Sequence, residues 1–433
     1  MTSHVRTGEE GQSRLAAFRR LVLVLHRWFG VLSAIFLVFV GVTGSVLVFG
    51  EELQRVIAPQ LYAPPRPGVP PLDLATLAER GVALAPPHTL VLGVQKFRDD
   101  QAGLTILPEL DPTTGTPSIK SLADLPPEIL IDPWTGAELA RRHRGQLSEG
   151  LVNLVPFLFY AHYQIVPLTM PFMAIGVILL GVVAVFWTLD CFVGFYLTLP
   201  VSRRGFWRQW KPAWQVTGGG STYRTNLDLH RASGLWLWPV LFLFAWSSVM
   251  FNMGAVYKPV MEAFLGHAPA APRAMRGTTL SMRAHPALDW HEALAVGERL
   301  MAEQAEARGF TVGEAKGFAY MPMGGTYIYQ VRGSLAIEAD GQAATVSFDG
   351  DTGALVTFEG RSGEHAYQTA TGWLRAIHRA KLPGVLFWPY RVVVFVVGIV
   401  LALLSATGVY LWWRKRKVRT ARRRRASAPR ATV

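Results

Sequence analysis

The sequence predicts an α-helical membrane protein: a four-helix transmembrane bundle made of two helix–loop–helix repeats, with small α+β modules outside the cytoplasm. Three observations predict it. Half of the 433 residues are hydrophobic and they fall in four long blocks; the basic residues gather at the ends of those blocks; and the second half of the chain repeats signatures of the first. A helix needs about 20 apolar residues to cross a bilayer, and within lipid it satisfies its own backbone hydrogen bonds.

Taken in order, residues 1–20 read as a cytoplasmic tail bearing Arg14, Arg19 and Arg20, and residues 21–50 as the first membrane helix, with its apolar run from Leu21 to Phe49. That run is too long for a signal-peptide core and no clear small-residue cleavage site follows it, so it reads as a retained helix. Residues 51–150 form a first outer module. It opens on a Pro-rich stretch, Ala63 to Pro71, and carries two Asp-led turns, Asp111 to Gly115 and Asp132 to Gly136, of the kind that separates paired strands. Residues 151–200 are an interfacial segment and the second membrane helix (Phe172 to Leu199), with Asp190 and the single cysteine, Cys191, inside the run. One cysteine excludes an intramolecular disulfide and a multi-cysteine metal site.

Residues 201–225 are a basic loop with Arg203, Arg204, Arg208, Lys211 and Arg224. Residues 226–253 are the third helix; its apolar part, Leu235 to Phe251, is short, so the helix begins early, near Asn226. Residues 254–372 form a second outer module, with a Pro-rich start (Ala268 to Pro272), a breaker-poor helical stretch (Ala293 to Arg308) and a hairpin signal over Thr345 to Val356. Residues 373–414 are an interfacial segment and the fourth helix (Val392 to Trp413), and residues 415–433 a basic tail.

The formal net charge is +13. Because the basic residues sit in both tails and the middle loop, the positive-inside rule puts all three in the cytoplasm and the two long loops on the other side. Four spans satisfy that arrangement. The charge thus reads as contact with a lipid bilayer, and no nucleic acid is expected.

The repeat supplies the candidate site. His26-Arg27-Trp28-Phe29-Gly30 and His230-Arg231-Ala232-Ser233-Gly234 share the pattern His-Arg-x-x-Gly, while His162 and His378 each stand five residues before a proline, Pro167 and Pro383. From His162 to Gly194 is 32 residues and from His378 to Gly408 is 30. Of eleven histidines, these four mark the starts of the four membrane helices. Ionisable groups at that depth are costly and point to function. Topology sorts them into His26 with His230 near the inner face and His162 with His378 near the outer. Two facing imidazoles on different helices are what axial ligation of a haem iron requires. Gly30 and Gly234 lie one turn beyond their histidines on the same face, where a missing side chain leaves room for a porphyrin. Arg27, Arg231 and Arg379 are candidates for its propionates, or simply snorkel to the headgroups. Structural zinc wants four protein ligands together. Copper stays open through the methionines Met170, Met173, Met250 and Met253. Asp190 is a candidate for proton or quinol chemistry, or a hydrogen bond to a neighbouring helix.

At these residues the chain resembles the PepSY-associated transmembrane-helix family, which includes iron-regulated inner-membrane proteins and ferric-siderophore reductases. The matching pieces are Leu25 to Gly30 with Gly41-Val42-Thr43-Gly44, Ala161 to Gln164, Asp228 to Gly234, and Ile377-His378 with Thr407 to Arg414; the Asp-x-x-Thr-Gly turns look like those of PepSY modules. The resemblance departs at Ala245-Trp246-Ser247-Ser248, which replaces the Thr-Gly step of the first helix. It implies a bacterial inner-membrane protein with PepSY-like periplasmic modules and four helices carrying b-type haem, two in number, that reduces ferric siderophores or related ferric chelates. No Gly-x-Gly-x-x-Gly stands in a strand–helix context, so electrons are expected from a membrane quinol or a separate reductase. A PepSY binding or regulatory protein without redox activity, and a transporter, are the competing readings.

Overall fold

The computed structural model describes the backbone of residues 2–109, 126–165, 170–218, 220–266, 283, 285–341, 343–363 and 365–426, and side chains over the same stretches except 2–13, 170–174 and 422–426. The turn expected at Asp111 to Gly115, Pro167, the Ala268 to Pro272 linker and the side chains of Met170 and Met173 lie outside those residues. In chain order the elements are α1 (Thr2–Val48), α2 (Gly50–Ile57), α3 (Leu74–Leu84), β1 (Thr89–Arg98), β2 (Gln101–Pro108), β3 (Glu128–Ile131) and β4 (Glu138–Arg142). Then come α4 (Leu154–Gln164), α5 (Met170–Thr198), α6 (Phe206–Trp210), α7 (Thr222–Trp236), α8 (Trp238–Asn252), α9 (Gly254–Leu265) and α10 (Trp290–Arg308). The chain closes with β5 (Val312–Met321), β6 (Thr326–Gly333), β7 (Ala344–Asp349), β8 (Leu355–Gly360), α11 (Ala366–His378) and α12 (Phe387–Ala426). They form two compact units: Met1–Val46, Val177–Tyr257 and Val392–Val433 make one, and Leu47–Gly176 with Lys258–Arg391 the other.

The first unit is helical. Among the described residues, three helices are long and apolar enough to cross a membrane, Arg14–Val48, Ile175–Thr198 and Gly384–Ala421. The third predicted helix is not one rod. It is the pair α7 and α8, bent by 71° at Leu237, with Pro239 in the first turn of α8. A proline ring lacks an N–H and clashes with the preceding turn, which breaks the helix there. All four apolar segments still contribute to one core cluster, Leu37, Val183, Leu241, Val397 and Leu401. Where α1 crosses α12, a Cβ on Gly41 would stand 2.6 Å from the Gly398 carbonyl oxygen, and the Ser45 hydroxyl donates to the Phe395 carbonyl at 2.8 Å. Small residues with a hydroxyl bond across helices are the usual way to join helices where lipid removes the hydrophobic drive.

The second unit corrects the expectation of two separate outer modules. Both loops enter one antiparallel sheet of eight strands in the order β4-β3-β2-β1-β5-β6-β7-β8. Each half supplies four strands and one helix, α3 or α10, and the halves meet through β1 and β5, paired at Gly93↔Ala319, Val94↔Phe318 and Gln95↔Gly317. The approach is close because both edges carry glycine: a Cβ on Gly93 would lie 2.1 Å from the Phe318 carbonyl oxygen. One core spans the join, with Leu74, Leu77 and Ala78 of α3, Leu294, Leu300 and Met301 of α10, and Phe318, Tyr327 and Phe348 from the sheet.

Local chemistry sets these elements. The Asp73 carboxylate caps α3 by accepting from the Thr76 N–H at 2.9 Å, and Asp289 with Glu292 forms a capping box on α10, which ends at left-handed Gly309; caps satisfy backbone groups that the helix itself cannot. The predicted turns at Asp132 to Gly136 and around Asp349 to Gly353 close the β3–β4 and β7–β8 hairpins in the same way. Asp132 accepts from the Trp134 and Thr135 N–H groups, Asp349 from those of Asp351 and Thr352, and each turn ends on a glycine at positive φ.

Candidate functional site

The structure brings the four repeat histidines together in two pairs, one in each unit. His26 of α1 faces His230 of α7 with ring centroids 6.1 Å apart and planes at 57°. His162 of α4 faces His378, the last residue of α11, at 6.4 Å and 62°. Two imidazoles binding one metal from opposite sides at ~2.0 Å per Metal–N bond, each ring adding about 1.15 Å from nitrogen to centroid, place their centroids about 6.3 Å apart. Both observed separations lie within about 0.2 Å of that figure.

In the first unit both rings are held by their Nδ1. The His26 Nδ1–H donates to Asp190 Oδ1 of α5 at 2.8 Å. The His230 Nδ1–H donates to the Leu404 carbonyl of α12 at 3.0 Å, with the Thr407 hydroxyl at 3.2 Å. A carboxylate and a carbonyl can only accept, so each Nδ1 carries a proton. Each ring also packs on a glycine of the same neighbouring helix. A Cβ on Gly194 would stand 3.4 Å from His26 Cε1, and one on Gly408 would stand 3.1 Å from His230 Cε1. The predicted glycines behave as open positions: a Cβ on Gly30 meets nothing within 4 Å, and one on Gly234 only Leu404 Cδ1 at 3.9 Å.

In the second unit the histidine helices end abruptly. Ile165 closes α4 at φ 74° and Ala380 follows α11 at φ 54°, a region that a β-branched residue such as Ile165 enters only under constraint. The constraint after His378 is visible. Arg379 Nη1 donates to Glu338 Oε2 at 2.7 Å, Lys381 pairs with Asp340, and the Ala339 N–H donates to the Lys381 carbonyl at 2.9 Å. After His162, the close approach of α5 holds the turn: a Cβ on Gly176 would lie 2.1 Å from the Gln164 carbonyl oxygen.

The donor set fits an iron porphyrin. Among the described residues, no three His, Cys, Asp or Glu side chains are placed to share one ion; each histidine pair could offer two nitrogens, and the ring of a porphyrin would supply the other four. Of the arginines proposed for propionates, Arg231 is committed to the Pro212 carbonyl at 2.7 Å and Asp228 at 3.2 Å, and Arg379 to Glu338; Arg27 sits one residue past His26 on α1. Asp190 takes the hydrogen-bonding role of its two readings. The residues that sequence reasoning passed over are Leu404, Thr407 and the glycines as ring seats; the matching offsets of Gly194 and Gly408 were the signal. In the second unit, Trp290 and Tyr327 line a cleft of about 500 Å³ with Tyr320, His88 and His285.

Comparison with protein families matches residues 23–415 to the PepSY-associated TM region. The chain belongs to that family. All four repeat histidines lie inside the matched segment, and this member of the PepSY-associated TM region family is a membrane-type protein. A comparison with curated proteins returns no match.

Proposed function

We propose that the protein is a di-haem b oxidoreductase of the bacterial inner membrane that carries electrons outward to reduce ferric siderophores or related ferric chelates in the periplasm. The observation that carries this reading is the pair of imidazole–imidazole separations, 6.1 and 6.4 Å, each matched to one metal held between two rings. Held by His26 with His230 and by His162 with His378, haem would supply one-electron carriage. The chain's own part, in the first pair, is to hold the His26 and His230 rings through Nδ1 and to seat each on a glycine of a neighbouring helix. One electron per ferric ion leaves a ferrous ion, which hard oxygen donors hold less well, and iron is released. A membrane quinol or a separate reductase is the electron source.

The sheet supports the four-span topology. Its strands come from both loops yet form one body, so the chain between β4 and β5 crosses the membrane an even number of times. That stretch contains α5 and the bent pair α7–α8; if α5 crosses, the bent pair crosses too. Both loops then share the periplasmic side, and both termini and residues 201–225 the cytoplasmic side, as their basic residues favour.

The test is the optical spectrum of detergent-purified protein, oxidised and then dithionite-reduced, with a haem-to-protein ratio. Sharp low-spin b-type bands at about two haems per chain are expected. A colourless protein made with ample haem refutes the redox reading and favours a membrane-anchored PepSY binding protein.

A further inference from the structure

The two halves of the repeat hold their membrane-unit histidines differently, and the difference is a charge. Gly194 and Gly408 are equivalent positions, each seating a histidine ring. Four residues before each, on the same helix, stands the group that receives the ring's Nδ1–H. In the first half it is the Asp190 carboxylate at 2.8 Å; in the second it is the Leu404 main-chain carbonyl at 3.0 Å. The same turn of the same helix thus delivers an anion to His26 and a neutral dipole to His230. Both partners of the His26–Asp190 contact are sheltered, with side-chain exposures of 27% and 16%, so water screens the interaction little.

We propose that Asp190 is a positioning residue for the His26–His230 centre: its carboxylate fixes the His26 tautomer with Nε2 as the ligating nitrogen, and lends that imidazole anionic character that lowers the midpoint potential of the iron held there. This rests on the reading of the pair as haem ligands. A carboxylate behind a ligating histidine raises the basicity of the ring, and a more basic axial ligand stabilises ferric over ferrous iron. An apolar-run aspartate with no other task would be costly to keep in a membrane helix; here its oxygen is engaged by His26, at the position where the repeat gives His230 the Leu404 carbonyl.

The experiment is a potentiometric titration of the full-length protein, followed optically and by low-temperature EPR of the oxidised state. The wild type is read first; absence of haem there overturns the functional reading itself, before any substitution is made. In Asp190→Asn the amide oxygen still accepts from Nδ1–H and the charge is gone. The expected result is two haems per chain, one midpoint potential raised, one low-spin EPR signal shifted, and the other centre, held by His162 and His378, unchanged as an internal control. Two potentials both as in wild type overturn the proposal. Should Asp190→Asn lose haem, Asp190→Glu decides: restored haem and potential support the role of the charge, and an Asp190→Glu protein that behaves like Asp190→Asn overturns it.

Discussion

The ring seats give a differential test of the first pair. Replacing Gly408 by alanine puts a Cβ 3.1 Å from His230 Cε1 and 3.6 Å from Nδ1, whereas the same change at Gly194 puts it 3.4 Å from His26 Cε1 and 3.8 Å from Nδ1. Carbon atoms rest at about 3.5–4.0 Å, so Gly408→Ala is short by about half an ångström and Gly194→Ala is close to ordinary contact. His230 cannot absorb half an ångström silently. Its Nδ1 bond to Leu404 is 3.0 Å, and stretching it to about 3.5 Å ends it as a hydrogen bond, at a net cost of about 1 kcal/mol. The same displacement exceeds the ~0.2 Å within which metal–ligand distances are kept. Gly408→Ala is therefore expected to fall from two haems per chain towards one, with Gly194→Ala staying at two. The assay is the haem-to-protein ratio with the reduced spectrum. A Gly408→Ala protein with two haems and an unaltered spectrum would show that the ring seat does not set the site.

Two further outcomes follow from the second unit. Gly93→Ala has no flexible neighbour to displace, since its Cβ would meet the Phe318 carbonyl oxygen at 2.1 Å and Ala319 Cα at 2.5 Å; overpacking of this kind costs about 3 kcal/mol. Thermal unfolding and limited proteolysis should show the β1–β5 join opening, and wild-type resistance would refute it. The second outcome concerns acid. Burial pushes the Asp340 carboxyl up, but the Lys381 ammonium beside it outweighs that and holds it below the usual 3.8. A depressed carboxylate stabilises the fold above its unfolded value and loses that contribution as pH falls through the lower folded value. The melting temperature should thus drop below about pH 4, and less steeply in Asp340→Asn; parallel pH profiles would count against it.

The histidine pairs were legible because the repeat, the charge at helix ends and the period of apolar blocks each constrain the same four residues. The hairpins at Asp132 to Gly136 and Asp349 to Gly353 were legible because their chemistry is local. The union of the two loops was not: pairing of β1 with β5 leaves no mark within either segment, and Gly93 and Gly317 read alone as isolated strand glycines. The bend at Leu237 hid behind a continuous apolar run, with Pro239 as the one cue. His26 and Asp190 lie 164 residues apart, so only a folded chain shows that they meet, and the Leu404 acceptor is a main-chain carbonyl, which every residue owns.

The central join also governs how the protein is made. The edge of β1 is complete by residue 98, but its partner β5 begins at residue 312, so over 200 residues must be synthesised before the sheet can close. At roughly 5–20 residues per second, that edge stays unpaired for on the order of 10–40 s. An unpaired strand edge is a template for wrong partners. The nascent first half is therefore the form of this protein most exposed to self-association and most in need of a chaperone, and the basic residues Lys96 and Arg98, which follow Gly93 along β1, keep charge beside that edge until the second half arrives.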